Sequence, residues 1–132
     1  MAFVDWTQAL ETGNEKIDQQ HRTLVDLINN LHELNQESSP DKIKLEVTLD
    51  GLRSYTQYHF HTEEEFMDEA NYPKTDSHKK SHNSFVKTIA EFEEDFKDEK
   101  AIINEKLLIY LVDWLKSHIQ GTDVELVAFL KK

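Results

Sequence analysis

Four stretches of this chain repeat apolar residues at alternating intervals of four and three, the stripe of a helix packed in a bundle, and titratable side chains interrupt those stripes at core positions. The first reads Ile17, His21, Leu24, Ile28, Leu31, and the second Leu45, Leu49, Leu52, Thr56, His59, Glu63, Phe66. The third reads His78, His82, Phe85, Ile89, Phe92, Phe96, and the fourth Leu107, Leu111, Trp114, His118. Only three Gly and two Pro punctuate the 132 residues, which favours long helices over many short strands. The pattern predicts an all-α, up-down-up-down antiparallel four-helix bundle with an N-terminal arm and a short C-terminal helix. Length and the 38% hydrophobic content suit one core, hence one domain over 1–132.

Helices are expected at roughly 18–37, 40–70, 75–97, 101–120 and 123–130. Asp18 reads as the cap of the first, and Ser39 as the cap of the second with Pro40 in its first position. Asn71-Tyr72-Pro73 stops the second helix, and the loss of periodicity over Lys97 to Lys100 places the turn into the fourth. Gly121 reads as a left-handed terminator, after which Thr122-Asp123-Val124-Glu125 matches a capping box for the last helix. Phe3 and Trp6 are the expected anchors of the arm.

Charge and cysteine content narrow the chemistry. The net charge of −11 opposes nucleic acid and anionic membrane surfaces as partners. The longest apolar run, Leu107 to Val112, is far short of a membrane span, and no basic region followed by an apolar stretch opens the chain, so a cytoplasmic protein is expected. With no Cys, disulfides, thiolate-held clusters and cysteine nucleophiles are excluded, and any metal must be held by nitrogen and oxygen.

His21, His59, Glu63, His78, His82 and His118 all point inward, and burying them unpaired costs several kcal/mol each. Residues four apart on a helix sit about 40° and 6 Å from each other, so His59/Glu63 and His78/His82 can each chelate one ion or bridge two. His21 and His78/His82 open their helices, while His59/Glu63 and His118 fall near the ends of theirs. In an antiparallel bundle two starts and two finishes meet, so all six groups share one layer. Asp123 is five positions after His118, which on a continuous α-helix turns it about 140° away; a break at Gly121 returns it to the site. His61 faces nearly opposite to His59 and reads as surface. His32 lies roughly 16 Å along the axis from His21 and reads as a satisfied core or rim residue. Glu64 and Glu65 belong to a solvated acidic run, with Glu64 a secondary candidate for supporting a ligand from behind.

Five imidazoles and two carboxylates exceed what one ion takes, whereas two ions sharing the carboxylates use them all. Nitrogen-rich ligation points to iron, with manganese or zinc as substitutes, and away from calcium and magnesium. The Glu-x-x-His pairs of ferritin-like di-iron oxidases are absent, as is any His-Asp dipeptide.

In these motifs the sequence resembles the hemerythrin family: His21 in Ile-Asp-Gln-Gln-His, His59 and Glu63 in His-Phe-His-Thr-Glu-Glu, His78 and His82 after Tyr72-Pro73, and His118 with Asp123 in His-Ile-Gln-Gly-Thr-Asp. The likeness runs from about Trp6 to Asp123. It implies two non-haem iron ions with a bridging oxo or hydroxo group. His78, His82 and His118 would hold one iron, His21 and His59 the other, and Glu63 and Asp123 both. It further implies reversible dioxygen binding at the open position of the two-histidine iron. Leu24, Phe60, Trp114 and Leu115, each within a turn of a ligand, are candidate walls of a dry oxygen pocket. Oxygen carriage, storage or delivery to an oxygen-consuming recipient is therefore expected rather than catalysis, because the ligands use up every inward polar group. The alternatives are a di-iron oxidase or peroxidase, which needs substrate access and a proton donor, and a sensor acting through a partner.

Overall fold

The computed structural model describes residues 3–100 and 102–131. A 3₁₀ turn, Gln8–Leu10, leads into α1 (Glu15–Asn35), α2 (Lys42–Ala70), α3 (Thr75–Lys97), α4 (Glu105–Ser117), a π-helical turn (His118–Asp123) and α5 (Val124–Leu130). Among the described residues there is no strand, and no helix long and apolar enough to cross a membrane. The four-helix bundle is as the periodicity predicts, and α3 keeps its expected bounds.

Several helix ends differ, for identifiable reasons. Asn14, not Asp18, caps α1, its side chain accepting from Ile17 N at 3.0 Å, so the helix starts three residues early. Asp18 is buried inside the first turn and accepts from Thr12 N, Thr12 Oγ1 and Gly13 N, pinning the preceding loop where Gly13 takes φ +95. Asp41 caps α2 by accepting from Ile43 N and Lys44 N, which leaves Ser39 and Pro40 outside the helix. Asp caps as well as Ser and stands nearer the stripe. The α2 helix closes on Asn71 at φ 53, with Tyr72 N donating to Met67 O at 3.0 Å.

The expected start of the fourth helix at Ala101 lies outside the described residues, and α4 itself begins at Glu105, capped by Asn104. The delay has a packing cause, since Ile103 is buried ahead of the helix and its carbonyl accepts from Asn35 Nδ2.

One core runs the length of the bundle, including Leu24, Ile28 and Leu31 of α1, Leu45, Leu49 and Leu52 of α2, and Phe85, Ile89 and Phe96 of α3. In α4 the buried stripe is Leu108, Leu111, Leu115 and His118; Leu107 and Trp114, expected inside, are only partly buried. Phe66 and Phe92 likewise sit at the edge, while Met67 and Glu93 take the buried positions. Glu93 accepts from Arg53 Nε at 3.2 Å, so its charge is paired. The arm is anchored less by half-buried Phe3 and Trp6 than by buried Val4 and Leu10, and the Asn29 amide bonds both the N–H and the carbonyl of Val4. His32 stacks on Phe3 at 4.3 Å, a rim residue as expected.

The α3 helix closes on Glu99 at φ 61, with Glu99 N donating to Phe96 O and Lys100 N to Asp95 O. A residue bearing a Cβ is strained there by about 1–2 kcal/mol, while glycine loses about 0.5–1 kcal/mol of extra chain entropy on folding. The exposed contact of Glu99 with Lys42 adds little. Glu99→Gly should therefore raise the melting temperature by a few degrees in thermal unfolding followed by circular dichroism, and a lowered midpoint would show that the turn carries no strain.

Candidate metal centre

At one end of the bundle, α1 contributes His21, α2 His59 and Glu63, α3 His78 and His82, and the π turn His118 and Asp123. All seven are buried, at most 3% exposed. The structure thus brings together every residue the sequence assigned to the layer, and leaves His61 exposed against Glu65, as expected.

Asp123 arrives by a different route from the one expected. Gly121 does not take a positive φ, so no left-handed break occurs there, and Asp123 is itself helical at φ −74, ψ −37 with no capping bond. The capping box does not form. Instead His118–Asp123 is wound as a π turn, whose hydrogen bonds reach the fifth residue, and this wider turn stacks positions five apart on one face. His118 Nε2 and Asp123 Oδ1 consequently lie 2.9 Å apart.

The donors form two sets that share both carboxylates. Glu63, His78, His82, His118 and Asp123 can each place one atom within 4.8 Å of the others, and so can His21, His59, Glu63 and Asp123. Asp123 divides its oxygens between the sets: Oδ2 faces His21 Nε2 at 2.7 Å and His59 Nε2 at 3.6 Å, whereas Oδ1 faces His118 and His78 Nε2 at 2.9 and 3.2 Å. Glu63 Oε1 lies 3.2 Å from His82 and His118 Nε2, 3.4 Å from His59 Nε2 and 3.7 Å from His78 Nε2.

Hydrogen bonding does not satisfy this cluster. Glu63 Oε2, Asp123 Oδ1 and the Nε2 atoms of His59 and His78 are buried without a hydrogen-bond partner. Lone pairs that converge without donors are costly in a dry interior, and a cation relieves them all at once. The residues fit a pair of cations held by nitrogen and oxygen.

Two of the imidazoles are held from behind. His59 Nδ1 donates to Gln20 Oε1 at 2.7 Å, and Gln20 is fixed in turn by donating to Thr62 Oγ1. His82 Nδ1 donates to Glu64 Oε2 at 2.9 Å. Each bond selects the tautomer whose Nε2 lone pair faces the cluster. Sequence reasoning had Glu64 only as a secondary candidate and missed Gln20, whose one signal was an amide beside His21 on the buried side of α1.

The cluster polarises its own protonation. Burial lowers His59 to about 4 and, with the nearby His118 and His78, His82 to about 2, so both stay neutral. Burial acts the same way on His118, but Asp123 and Glu63 outweigh it and hold that imidazole up at about 10. Burial and the Asp123 charge push the Glu63 carboxyl well above its ordinary range, while His118 is the main influence holding Asp123 well below, against burial. Partial burial also raises Glu64, with Lys79 its largest counterweight.

The pattern of the "Hemerythrin HHE cation binding domain" matches residues 12–130. The chain belongs to the hemerythrin family. It is 37% identical to a bacteriohemerythrin of Stenotrophomonas maltophilia, over 93% of this chain and 78% of that one. It is 34% identical to a myohemerythrin of Theromyzon tessulatum, over 89% of this chain and 86% of that one. The crystal structure of a wild-type hemerythrin superposes with a TM-score of 0.90 at 28% identity, covering 99% of this chain and all of that one. The hemerythrin fold and the donor cluster thus agree on a metal-binding four-helix bundle.

Without metal at neutral pH, His118 holds a proton that cations must displace, and the upward shift of Glu63 strengthens proton competition at the site. Loading with divalent metal at pH 7 should therefore release at least the His118 proton, about one per chain or more, and affinity should rise with pH up to the His118 value. Calorimetry in buffers of different ionisation enthalpy measures the release; none would contradict the protonation pattern.

Proposed function

We propose that this chain binds dioxygen reversibly at a pair of non-haem irons bridged by an oxo or hydroxo group. The observation that carries the reading is the pair of donor sets, one with three imidazoles and one with two, joined through both Glu63 and Asp123. In this assignment His78, His82 and His118 hold one iron, His21 and His59 the other, and the two carboxylates span both. The relatives called bacteriohemerythrin and myohemerythrin support it. Held by these residues, two ferrous ions would supply the electrons for reversible dioxygen binding.

The chain's own part is to leave one position open and keep it dry. Two imidazoles against three leave the His21/His59 side one ligand short. Leu24, Phe60, Trp114 and Leu115, the expected walls, line one cavity of about 10 Å³, at the threshold for a single small molecule. Phe60 stacks on His82 at 3.8 Å and Trp114 on His118 at 4.6 Å, on the three-histidine side, and Phe60 also lies against His59 of the open side, with ring centroids 5.8 Å apart. Thr56 is the polar residue of that lining, and its hydroxyl donates to Leu52 O at 2.7 Å, which removes it as a proton source. This supports a carrier over an oxidase or peroxidase, since no acid or base faces the cavity among its lining residues. We further propose that it acts in the cytoplasm, delivering dioxygen to an oxygen-consuming recipient.

Optical spectra of the reduced protein through cycles of oxygen and vacuum should show a reversible oxygenated form, and metal analysis two irons per chain. One zinc per chain, or oxidation without a reversible form, would overturn the assignment. His118→Ala and Glu63→Ala should lose iron affinity by 10-fold or more, whereas His61→Ala and His32→Ala should keep the parent content. Equal iron in all four variants would remove these residues from the site. Leu115→Ala should keep both irons but decay faster from the oxygenated form, because the opened wall admits water and protons. Stopped-flow absorbance follows that decay, and an unchanged rate would exclude Leu115 from the pocket.

A further inference from the structure

The two imidazoles held from behind have unlike partners, one on each side of the centre. His59 donates to the neutral amide oxygen of Gln20, which is buried. His82 donates to the carboxylate of Glu64, whose side chain is 27% exposed. Glu64 opens onto a groove of about 360 Å³ between α2 and α3, whose polar lining includes Gln57, His61, Asn83 and Lys87. The groove leaves one edge of the carboxylate open to solvent, so a charge there costs less than it would on a fully buried acid. No other imidazole of the cluster has a carboxylate on Nδ1: those of His21, His78 and His118 have no hydrogen-bond partner.

We propose that Glu64 is a positioning residue that makes the two metal positions electronically unequal, biasing the His78/His82/His118 position toward the ferric state. A carboxylate accepting an imidazole N–H draws the proton outward and makes the opposite nitrogen a stronger donor. Stronger donation, with a full negative charge one ring away, favours the higher metal charge. The amide of Gln20 orients His59 but adds no charge. In a half-oxidised centre the ferric ion then resides on the three-histidine side and the ferrous ion on the open side. This inference rests on the di-iron reading above.

The test is redox titration of the iron-loaded full chain, with metal content measured alongside. Glu64→Gln keeps an oxygen acceptor in place and removes the charge, so it should retain two irons and favour the ferrous form about ten-fold more than the parent, a rise of 59 mV for one electron. A role in orientation alone leaves the potential where it was, and a ferrous-to-ferric ratio within two-fold of the parent's at the same applied potential would overturn the inference. Gln20→Glu is the reciprocal variant: a carboxylate behind His59 should lower the potential and move the ferric ion in the half-oxidised form, seen as a changed electron paramagnetic resonance spectrum. It also decides the matter if Glu64→Gln fails to load iron, with an unchanged potential and spectrum again counting against the idea. A parent that holds no iron overturns the di-iron reading itself, whereas an iron-loaded parent with indifferent variants overturns only the role of Glu64.

Discussion

Seven side chains able to donate to a metal are buried in one layer, and their inward atoms are mostly acceptors facing acceptors. Imidazole nitrogens and carboxylate oxygens lie 2.7 to 3.7 Å apart there, yet several have no hydrogen bond. Only positive charge resolves such a cluster. Protons do so in part, as the raised His118 and Glu63 show, but one proton serves two atoms whereas a cation serves four or more. The stiff scaffold prevents the alternative of rotating the groups outward. Several of these side chains have a buried apolar neighbour within a turn, such as Leu24 after His21, Phe60 after His59, Phe85 after His82 and Leu115 before His118. The apolar core therefore fixes the direction of the polar layer, and the layer demands the metal.

The π turn is where backbone geometry serves this demand most directly. An α-helical turn aims residues five apart about 140° from each other, which would carry the Asp123 carboxylate out of the layer. Hydrogen bonding to the fifth residue brings it back beneath His118 and lets its two oxygens address the two sets. A carboxylate on a loop could reach the same place, but with less certainty of position. Continuing α4 into α5 through the wide turn keeps Asp123 on a hydrogen-bonded rail, while Ile119, Leu126 and Val127 are buried on either side.

The fold and the polar layer were legible because both depend on periodicity, which a sequence states openly. His21, His78 and His118 needed only their positions along antiparallel helices to be placed together. The errors arose where two local solutions were equally good. In α4, Leu107/Leu108 and Trp114/Leu115 are adjacent apolar pairs, so stripes through Leu107 and Trp114 or through Leu108 and Leu115 both meet Leu111 and His118 at helical spacing. Packing chose the second. Asp18 and Ser39 are good caps in isolation, but Asn14 and Asp41 are as good and better placed. The π turn left no local signal, because its cause is the tertiary pull on Asp123. Nothing within 4 Å of a Cβ at Gly121 requires glycine there, so the residue that suggested a break has no steric part in the outcome.

Stability and function meet in the wall beside the metal. Leu24, Phe60 and Leu115 belong to the same core that closes the bundle, with Trp114 packed against it, so the residues that keep the open position dry also bury apolar surface. Removing one of these side chains costs about 2–5 kcal/mol, a large part of the stability of a domain this size. Widening the pocket therefore costs stability even where the metal-binding layer stays in place. Glu64 lies outside that constraint, on the groove side of His82, reaching the centre through one hydrogen bond rather than through the core. A change there can alter the electronic character of the site at little cost in packing. The polar flank between α2 and α3 is therefore free to vary with little cost in packing, while the apolar side is held fixed by folding itself.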